Sequence, residues 1–263
     1  MTTAFGSELK SWRTARRISQ LDLGLSANVS ARHISFLETG RSRPSRSMVL
    51  ALCEELQVPR GARNQLLTAA GLAPAYGARD LAEDDMAPVR AAMEWMLERH
   101  DPYPAFTLAR HWTVQRMNRT ASTLMAGLGL GPGQSLVGAL AGNGDFRGAI
   151  ENLDQVIAHA IARLRTEIAH LAGDPVLEEA LQRLIDLDVA GPPPDGLLPA
   201  FVPTRFRAGG LVLSLFSTLG QFGAAEDVAL SEMKIEMMFP ADEATRQVLL
   251  AMGGAGGAPA PNT

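Results

Sequence analysis

The sequence has very little cysteine and no long apolar run, and each of these absences excludes a class of protein. The single cysteine, Cys53, excludes a disulfide framework and any metal site built from several thiolates. No uninterrupted apolar stretch reaches about 18 residues, so no membrane-spanning helix is expected. The first residues, MTTAFGSELKSWRTARR, lack the apolar core of a secretory signal, so we expect a cytoplasmic protein.

Residue combinations that would support catalysis are also missing. The sequence has five histidines, but it has neither a cysteine that would pair with one of them nor a G-x-S-x-G motif. His159 and His170 are eleven positions apart, so they could bind a metal only together with ligands from distant parts of the chain. The GLGLGPG run at 127–133 has no preceding strand and no phosphate-loop lysine. We therefore expect no enzyme, no catalytic or metal site and no cofactor.

The chain has 263 residues, of which 46% are apolar, and this suits two folded domains. Its charge is divided unevenly although the sum is only −4. Residues 1–72 contain ten Lys and Arg against five Asp and Glu, a balance of +5, and the other 191 residues contain 14 basic and 23 acidic side chains, a balance of −9. This asymmetry indicates a first domain that meets a polyanion and a second that does not.

Residues 1–72 are predicted to form five short helices. Their starts are marked by hydroxyl residues that can accept a hydrogen bond from the first turn: Ser7, Ser19, Ser30 and Ser45. Asn28, one of the few residues that tolerate positive φ, separates the second helix from a third over 31–38.

Residues 20–44, QLDLGLSANVSARHISFLETGRSRP, form the strongest motif in the chain. The pattern is a helix, a tight turn at Ala27–Val29 and a second, capped helix, which together predict a helix-turn-helix. Ile34 and Leu37 lie three positions apart and would pack inward, whereas Ala31, Arg32, Ser35 and Phe36 share another face that would enter a major groove.

This motif, with Gln20, Val29-Ser30, Ile34-Ser35, Glu38-x-Gly40 and Pro44 at their spacing, resembles the DNA-binding domain of the lambda-repressor/Cro-like, or XRE, transcription regulators. The resemblance implies that Gln20 bonds a phosphate and supports the recognition helix, and that Ala31, Arg32 and Phe36 face base edges. The basic residues after the helix would anchor the DNA backbone. The DNA-binding residues expected are Gln20, Ser30, Ala31, Arg32, His33, Ser35, Phe36, Arg41, Ser42, Arg43 and Arg46.

Structural roles compete with these assignments. Phe36 could belong to the core, and His33 could contact the DNA backbone or only solvent. Glu38 is expected to pair locally in a structural role. Cys53 lies among leucines and is expected to be a small buried apolar residue instead of a redox sensor.

Residues 73–85 are predicted to be a linker, residues 86–252 a second domain, and residues 253–263 a disordered tail. The second domain is predicted to mix helices and strands, with a glycine-rich stretch over 127–148 that is loop with a little helix, and a PPPDG turn over 192–196. The predicted helices are 88–100, 118–126, 149–171, 174–188 and 241–252, and the predicted strands are 106–109, 112–117, 202–207, 211–218 and 231–239.

Two segments, Pro104–Asn118 and FSTLGQFGAAEDVALSEMKIEMMFPADEAT at 216–245, resemble the ligand-binding domain of MmyB-like transcription regulators. That family joins a helix-turn-helix domain to a PAS-like α+β domain, an antiparallel sheet flanked by helices. The resemblance implies a small hydrophobic ligand, with a fatty acid as one possibility. The pocket residues proposed from their apolar and aromatic character, which would equally suit a core, are Met93, Met96, Phe106, Trp112, Met117, Met125 and Phe216.

These observations predict a sequence-specific regulator, located at the nucleoid, that binds a pseudo-palindromic operator in double-stranded DNA as a homodimer and responds to a ligand. The apolar helix over 149–171 would be either a dimer element or part of the core. The alternative is a DNA-binding regulator whose second domain only dimerises or binds another protein.

Overall fold

The computed structural model describes residues 3–77, 79–189, 201–222 and 227–254. The chain divides into two compact units. The first unit comprises Met1–Arg79, Thr166–Asp174 and Ala224–Ser231, and the second comprises Asp80–Arg165, Pro175–Gly223 and Glu232–Thr263. Among the residues described, no helix is long and apolar enough to cross a membrane.

The first unit contains the five predicted helices. They are α1 (Ala4–Ala15), α2 (Gln20–Ser26), α3 (Ala31–Glu38), α4 (Arg46–Glu55) and α5 (Arg60–Ala69). The hydroxyl groups of Ser19, Ser30 and Ser45 accept hydrogen bonds from the first turns of α2, α3 and α4, as predicted. The cap predicted for α1 is wrong, because α1 begins earlier: Thr3 accepts from the N–H of Gly6, and Ser7 lies inside the helix.

Close backbone contacts position the helices around α3. Asn28, in the turn between α2 and α3, has φ of 54°, the left-handed conformation that the sequence predicts there. A Cβ atom added to Gly6 would lie 2.4 Å from the carbonyl oxygen of Glu38, so only glycine lets α1 approach the end of α3 so closely.

The core of the first unit combines residues from all five helices, among them Leu9, Leu23, Ile34 and Leu67. Cys53 belongs to this core and is 1% exposed. Burial raises the pKa of its thiol to about 12, so the reactive thiolate is scarce at neutral pH. The structure therefore shows the buried apolar role expected for Cys53.

A buried ion pair joins the first three helices. The Glu38 carboxylate, at the end of α3, accepts hydrogen bonds from Arg13 Nε at 2.6 Å and from Arg13 Nη2 at 3.1 Å. It also accepts one from Gln20 Nε2 of α2 at 2.7 Å. The Glu38 side chain is 3% exposed, so the carboxylate depends on these partners in place of water.

The second unit is α+β, as predicted, with helices flanking one five-stranded antiparallel sheet. The α-helices that follow α5 are α6 (Ala87–His100), α7 (Arg119–Met125), α8 (Leu136–Gly142), α9 (Gly144–Gly148), α10 (Leu153–His170), α11 (Pro175–Ile185), α12 (Val228–Glu232) and α13 (Glu243–Gly254). The end of α10, from Thr166 on, and all of α12 except Glu232 belong to the first unit, and the other residues of these helices belong to the second. Its strands are β1 (Ala105–Ala109), β2 (Thr113–Met117), β3 (Thr204–Ala208), β4 (Leu211–Gln221) and β5 (Lys234–Pro240). The strand order is β2-β1-β5-β4-β3.

Three predictions for this unit need correction or lie outside the described residues. The glycine-rich stretch at 127–148 contains helix, as predicted, but more than the little expected: α8 and α9 form because the side chains of Ser135 and Asn143 cap them and their apolar residues are buried. The predicted tail begins too early, since Gly253 and Gly254 belong to α13. The PPPDG turn at 192–196 and residues 255–263 lie outside the described residues.

We expect Glu38→Gln to lower the free energy of unfolding of the first unit by about 3 kcal/mol, because Arg13 would lose its charged partner in a buried position. The matched control is Glu54→Gln. Glu54 also pairs with an arginine, Arg63, at 2.8 Å, but its side chain is 73% exposed, so we expect a loss below about 1 kcal/mol. Chemical denaturation, monitored by hydrogen exchange of the backbone amides of α1 to α5, measures the free energy of unfolding of both variants. Equal losses in the two variants would contradict the structural role of Glu38.

Candidate nucleic-acid interface and ligand cavity

Helix α3 has one face in the core and one face toward solvent. Ile34 and Leu37 are fully buried, which fixes the orientation of the helix. Arg32 is exposed on the other face, and Ala31 and Ser35 are half-buried there. This is the division that the spacing along the helix predicts.

Phe36 lies half-buried on this outer face and does not belong to the buried core cluster of the first unit. Two arginines approach its ring: Arg32 Cζ lies 5.1 Å and Arg41 Cζ lies 5.8 Å from the ring centroid. Both distances are within the range of cation–π attraction. The ring therefore holds two guanidinium groups beside the exposed face of α3.

Three further expected DNA-binding residues use their side chains in hydrogen bonds within the first unit. The Gln20 amide donates to Glu38, so it supports α3, and its phosphate contact remains a prediction. Ser30 Oγ accepts from the backbone N–H of His33. Arg46 donates to the carbonyl oxygens of Ala73 and Pro74, at 2.6 and 3.1 Å, and so holds the chain that follows α5.

Of the remaining candidates, His33 belongs to α3, and Arg41, Ser42 and Arg43 follow it along the chain. Arg43 and Arg41 are exposed, and Ser42 and His33 are half-buried. The backbone N–H groups of Arg41 and Ser42 both donate to the carbonyl oxygen of Phe36, which folds the segment after α3 back onto the end of the helix. The structure thus brings Arg41 next to the outer face of α3, over the ring of Phe36.

A cavity of about 270 Å³ lies in the second unit, between α10 and the sheet. Helix α10 contributes Val156, His159, Ala160 and Arg163, whose spacing places them on one helix face. Across the cavity, Glu236 and Met238 alternate along β5 and therefore point to the same side of the sheet. Further lining residues are Trp112, Leu136, Leu140, Phe146, Ile150, Phe201, Val202, Thr204, Phe206, Leu215, Phe216 and Ser217.

The polar side of this cavity is organised around Arg163. Its Cζ lies 3.9 Å from the ring centroid of Trp112, and its Nη1 lies 3.5 Å from Glu236 Oε2. Burial lowers the pKa of His159, and the positive charge of Arg163 adds to this effect while Glu236 opposes it. His159 is therefore neutral at pH 7.

Backbone strain accompanies the position of Trp112. His111 and Trp112 have φ of 58° and 56°, values that are uncommon for bulky residues. The Ser135 hydroxyl donates to the carbonyl oxygen of His111 at 2.8 Å and so helps to hold this turn. Such strain is found most often at functional sites, and here it places an indole ring against the half-buried guanidinium of Arg163.

The pocket residues proposed from the sequence are distributed over several places. Trp112 and Phe216 line the cavity between α10 and the sheet. Met93 and Phe106 are fully buried, and Met96 is half-buried on α6. Met117 and Met125 border a shallower cleft of about 330 Å³, and Met117 also borders one of about 410 Å³.

Sequence reasoning missed His159, Arg163 and Glu236 as cavity residues. The i, i+4 spacing of His159 and Arg163 on a predicted helix was an available signal that the two share a face. Glu236 is 73 positions from Arg163, and nothing in the sequence indicates that they meet. Within the described ranges, no group of three or more His, Cys, Asp or Glu side chains could hold a metal ion.

Comparison with known proteins assigns both parts of the chain to described families. Residues 89–252 match the family model of the MmyB-like transcription regulator ligand binding domain, and residues 4–66 match that of a helix-turn-helix domain. No curated protein matches the chain.

One solved structure similar to this chain is described as an RNA-binding light-oxygen-voltage receptor, at 12% identity and a TM-score of 0.24. The match covers 96% of this chain and 64% of that one, and a likeness this low has no bearing on function. The ligand-binding-domain match, in contrast, spans more than half of the sequence and follows a helix-turn-helix domain. The chain therefore belongs to the family of MmyB-like transcription regulators, which bind DNA and contain a ligand-binding domain.

Proposed function

We propose that this protein is a sequence-specific transcription regulator that binds a pseudo-palindromic operator as a homodimer and senses a small, largely apolar ligand. The observation that carries DNA recognition is the outer face of α3, where Arg32 and Arg41 flank Phe36 outside the core. In a dimer, two such helices would enter successive major grooves about one helical turn apart. We propose that residues 1–72 form the DNA-binding domain and that residues 86–252 form the ligand-sensing domain.

Arg32 and Arg43 would have different tasks in this interface. Arg32 lies on the outer face of α3, where a guanidinium can donate two hydrogen bonds to the O6 and N7 atoms of a guanine. Arg43 lies after the helix, is exposed, and would contact a phosphate. A base contact specifies sequence, whereas a phosphate contact strengthens binding to every sequence.

Ligand sensing is supported by the cavity between α10 and the sheet, because its walls are mostly apolar and a few polar groups converge in it. A ligand that binds more tightly to one arrangement of the two recognition helices would shift the dimer toward that arrangement. The size of the response would equal the difference between the two ligand affinities. Dimerisation is part of this proposal, and α10 is a candidate for the helix that forms the dimer interface.

We expect Arg32→Ala to weaken operator binding by about 1–3 kcal/mol and to relax preference at one base pair. Arg43→Ala should weaken all sequences alike and reduce the salt slope by about one unit. Binding-site selection from random DNA and titrations at several salt concentrations measure both effects, and Arg165→Ala, an exposed arginine of the second unit, is the matched control. A uniform loss in both test variants would refute base reading by Arg32.

We also expect a small-molecule extract of cells to change operator affinity, since a ligand with different affinities for the two helix arrangements must shift their populations. Binding-site selection and operator titration with the full chain, with and without extract, measure the change. Native mass spectrometry of the same samples detects a bound small molecule. If no bound mass appears and operator affinity stays constant, the second domain serves dimerisation or protein contact alone.

A further inference from the structure

Among the described residues, three ionisable side chains line the cavity between α10 and the sheet: His159 and Arg163 from α10 and Glu236 from β5. Arg163 and Glu236 have opposite charges that cancel. Burial and the charge of Arg163 lower the pKa of His159 against the opposing effect of Glu236, so the imidazole adds no charge at pH 7. The charges of the described residues that line the cavity therefore sum to zero, although these residues include a full positive and a full negative charge.

Arg163 has a hydrogen-bond donor that remains available. Its Nη1 lies 3.5 Å from Glu236, its planar face covers Trp112, and its Nη2 is buried without a hydrogen-bond partner among the described residues. A buried donor without an acceptor is unfavourable, and most buried polar groups in proteins are paired. An oxygen atom on a bound molecule would satisfy this donor.

The size and the walls of the cavity restrict the rest of that molecule. A volume of about 270 Å³ corresponds to about nine water molecules at ~30 Å³ each. Side chains such as Leu140, Phe146 and Ile150 form apolar walls. A molecule that fills this space has roughly ten non-hydrogen atoms, and most of them are apolar.

Charge then separates the possible head groups. A carboxylate would give the cavity a net negative charge in apolar surroundings, and Glu236 would repel it. A carbonyl or hydroxyl oxygen accepts the same hydrogen bond without adding charge. We propose that the cavity selects an uncharged, largely apolar molecule whose carbonyl or hydroxyl oxygen accepts a hydrogen bond from Arg163 Nη2, an inference that rests on the proposed ligand sensing.

An anionic head group could enter only together with a proton. His159 is the group that would take it, because it faces the cavity and is neutral at pH 7. Arg163 and Glu236 are the charged groups among the described residues that line the same space. Affinity for a carboxylate should therefore rise as the pH falls, while affinity for a neutral molecule should stay constant.

Octanamide and octanoate test this selection, because they have the same size and shape and differ in charge. Isothermal titration of the full chain at pH 8 should show octanamide binding at least about tenfold more tightly, since a hydrogen bond to a charged donor is retained without a buried net charge. At pH 6 octanoate should gain affinity. Titration in two buffers of different ionisation enthalpy should detect about one proton taken up with octanoate and none with octanamide.

Variants of Arg163 and Glu236 show whether the charges of the ion pair, and not the shape of the cavity, determine which probe binds. Glu236→Gln removes the negative charge, so octanoate should bind about tenfold more tightly while octanamide changes little. Arg163→Gln should weaken octanamide about tenfold, and Arg165→Gln, an exposed position on the same helix, should change neither probe. If Arg163→Gln fails to fold, the double variant R163Q/E236Q leaves neither charge unpaired and should show the same loss of octanamide affinity.

Two results would overturn the proposal, and they differ in what they mean for ligand sensing. Octanoate that binds as tightly as octanamide at pH 8 would disprove selection by charge and leave ligand sensing intact. A failure of both probes to bind would disprove the assigned size and head group. The extract experiment then decides separately whether the domain senses any ligand.

Discussion

The carboxylate of Glu38 is the interaction on which the geometry of the first unit depends. It is 3% exposed and accepts hydrogen bonds from Arg13 of α1 and Gln20 of α2. A charge removed from water in this way requires well-placed partners, so the two donors fix α1 and α2 against the end of α3. The absence of a side chain at Gly6 permits the same close approach from α1. The direction in which the outer face of α3 points follows from these contacts.

Each unit places an arginine against an aromatic ring, with different consequences. Arg32 lies over Phe36 on an exposed surface, where the guanidinium keeps its hydrogen-bonding edge available to a partner outside the protein. Arg163 lies over Trp112 inside a cavity, where the ring and Glu236 together compensate for the loss of water around the charge. In the proposed function, the first arginine–ring pair would meet a large polyanion, and the second would meet a small molecule inside the cavity.

Features that depend on neighbouring residues could be predicted from the sequence, and features that depend on distant ones could not. The cap at Ser30 and the left-handed turn at Asn28 follow from local chemistry, and both are present. The sequence predicts only a little helix within 127–148 because glycine disfavours helices, whereas burial of the apolar residues of α8 and α9 outweighs that preference. The contact between Arg163 and Glu236 joins residues 73 positions apart, and only the folded topology brings them together.

The burial of Cys53 makes the N-terminal unit suited to measurements that depend on a single reactive thiol. The chain has one cysteine, which is 1% exposed and has a pKa of about 12, so thiol reagents can reach it only when the surrounding helices separate. The rate of its modification therefore reports how often that unit opens. A second cysteine introduced at an exposed position would react far faster, so one spectroscopic label could be attached there without removal of the natural thiol.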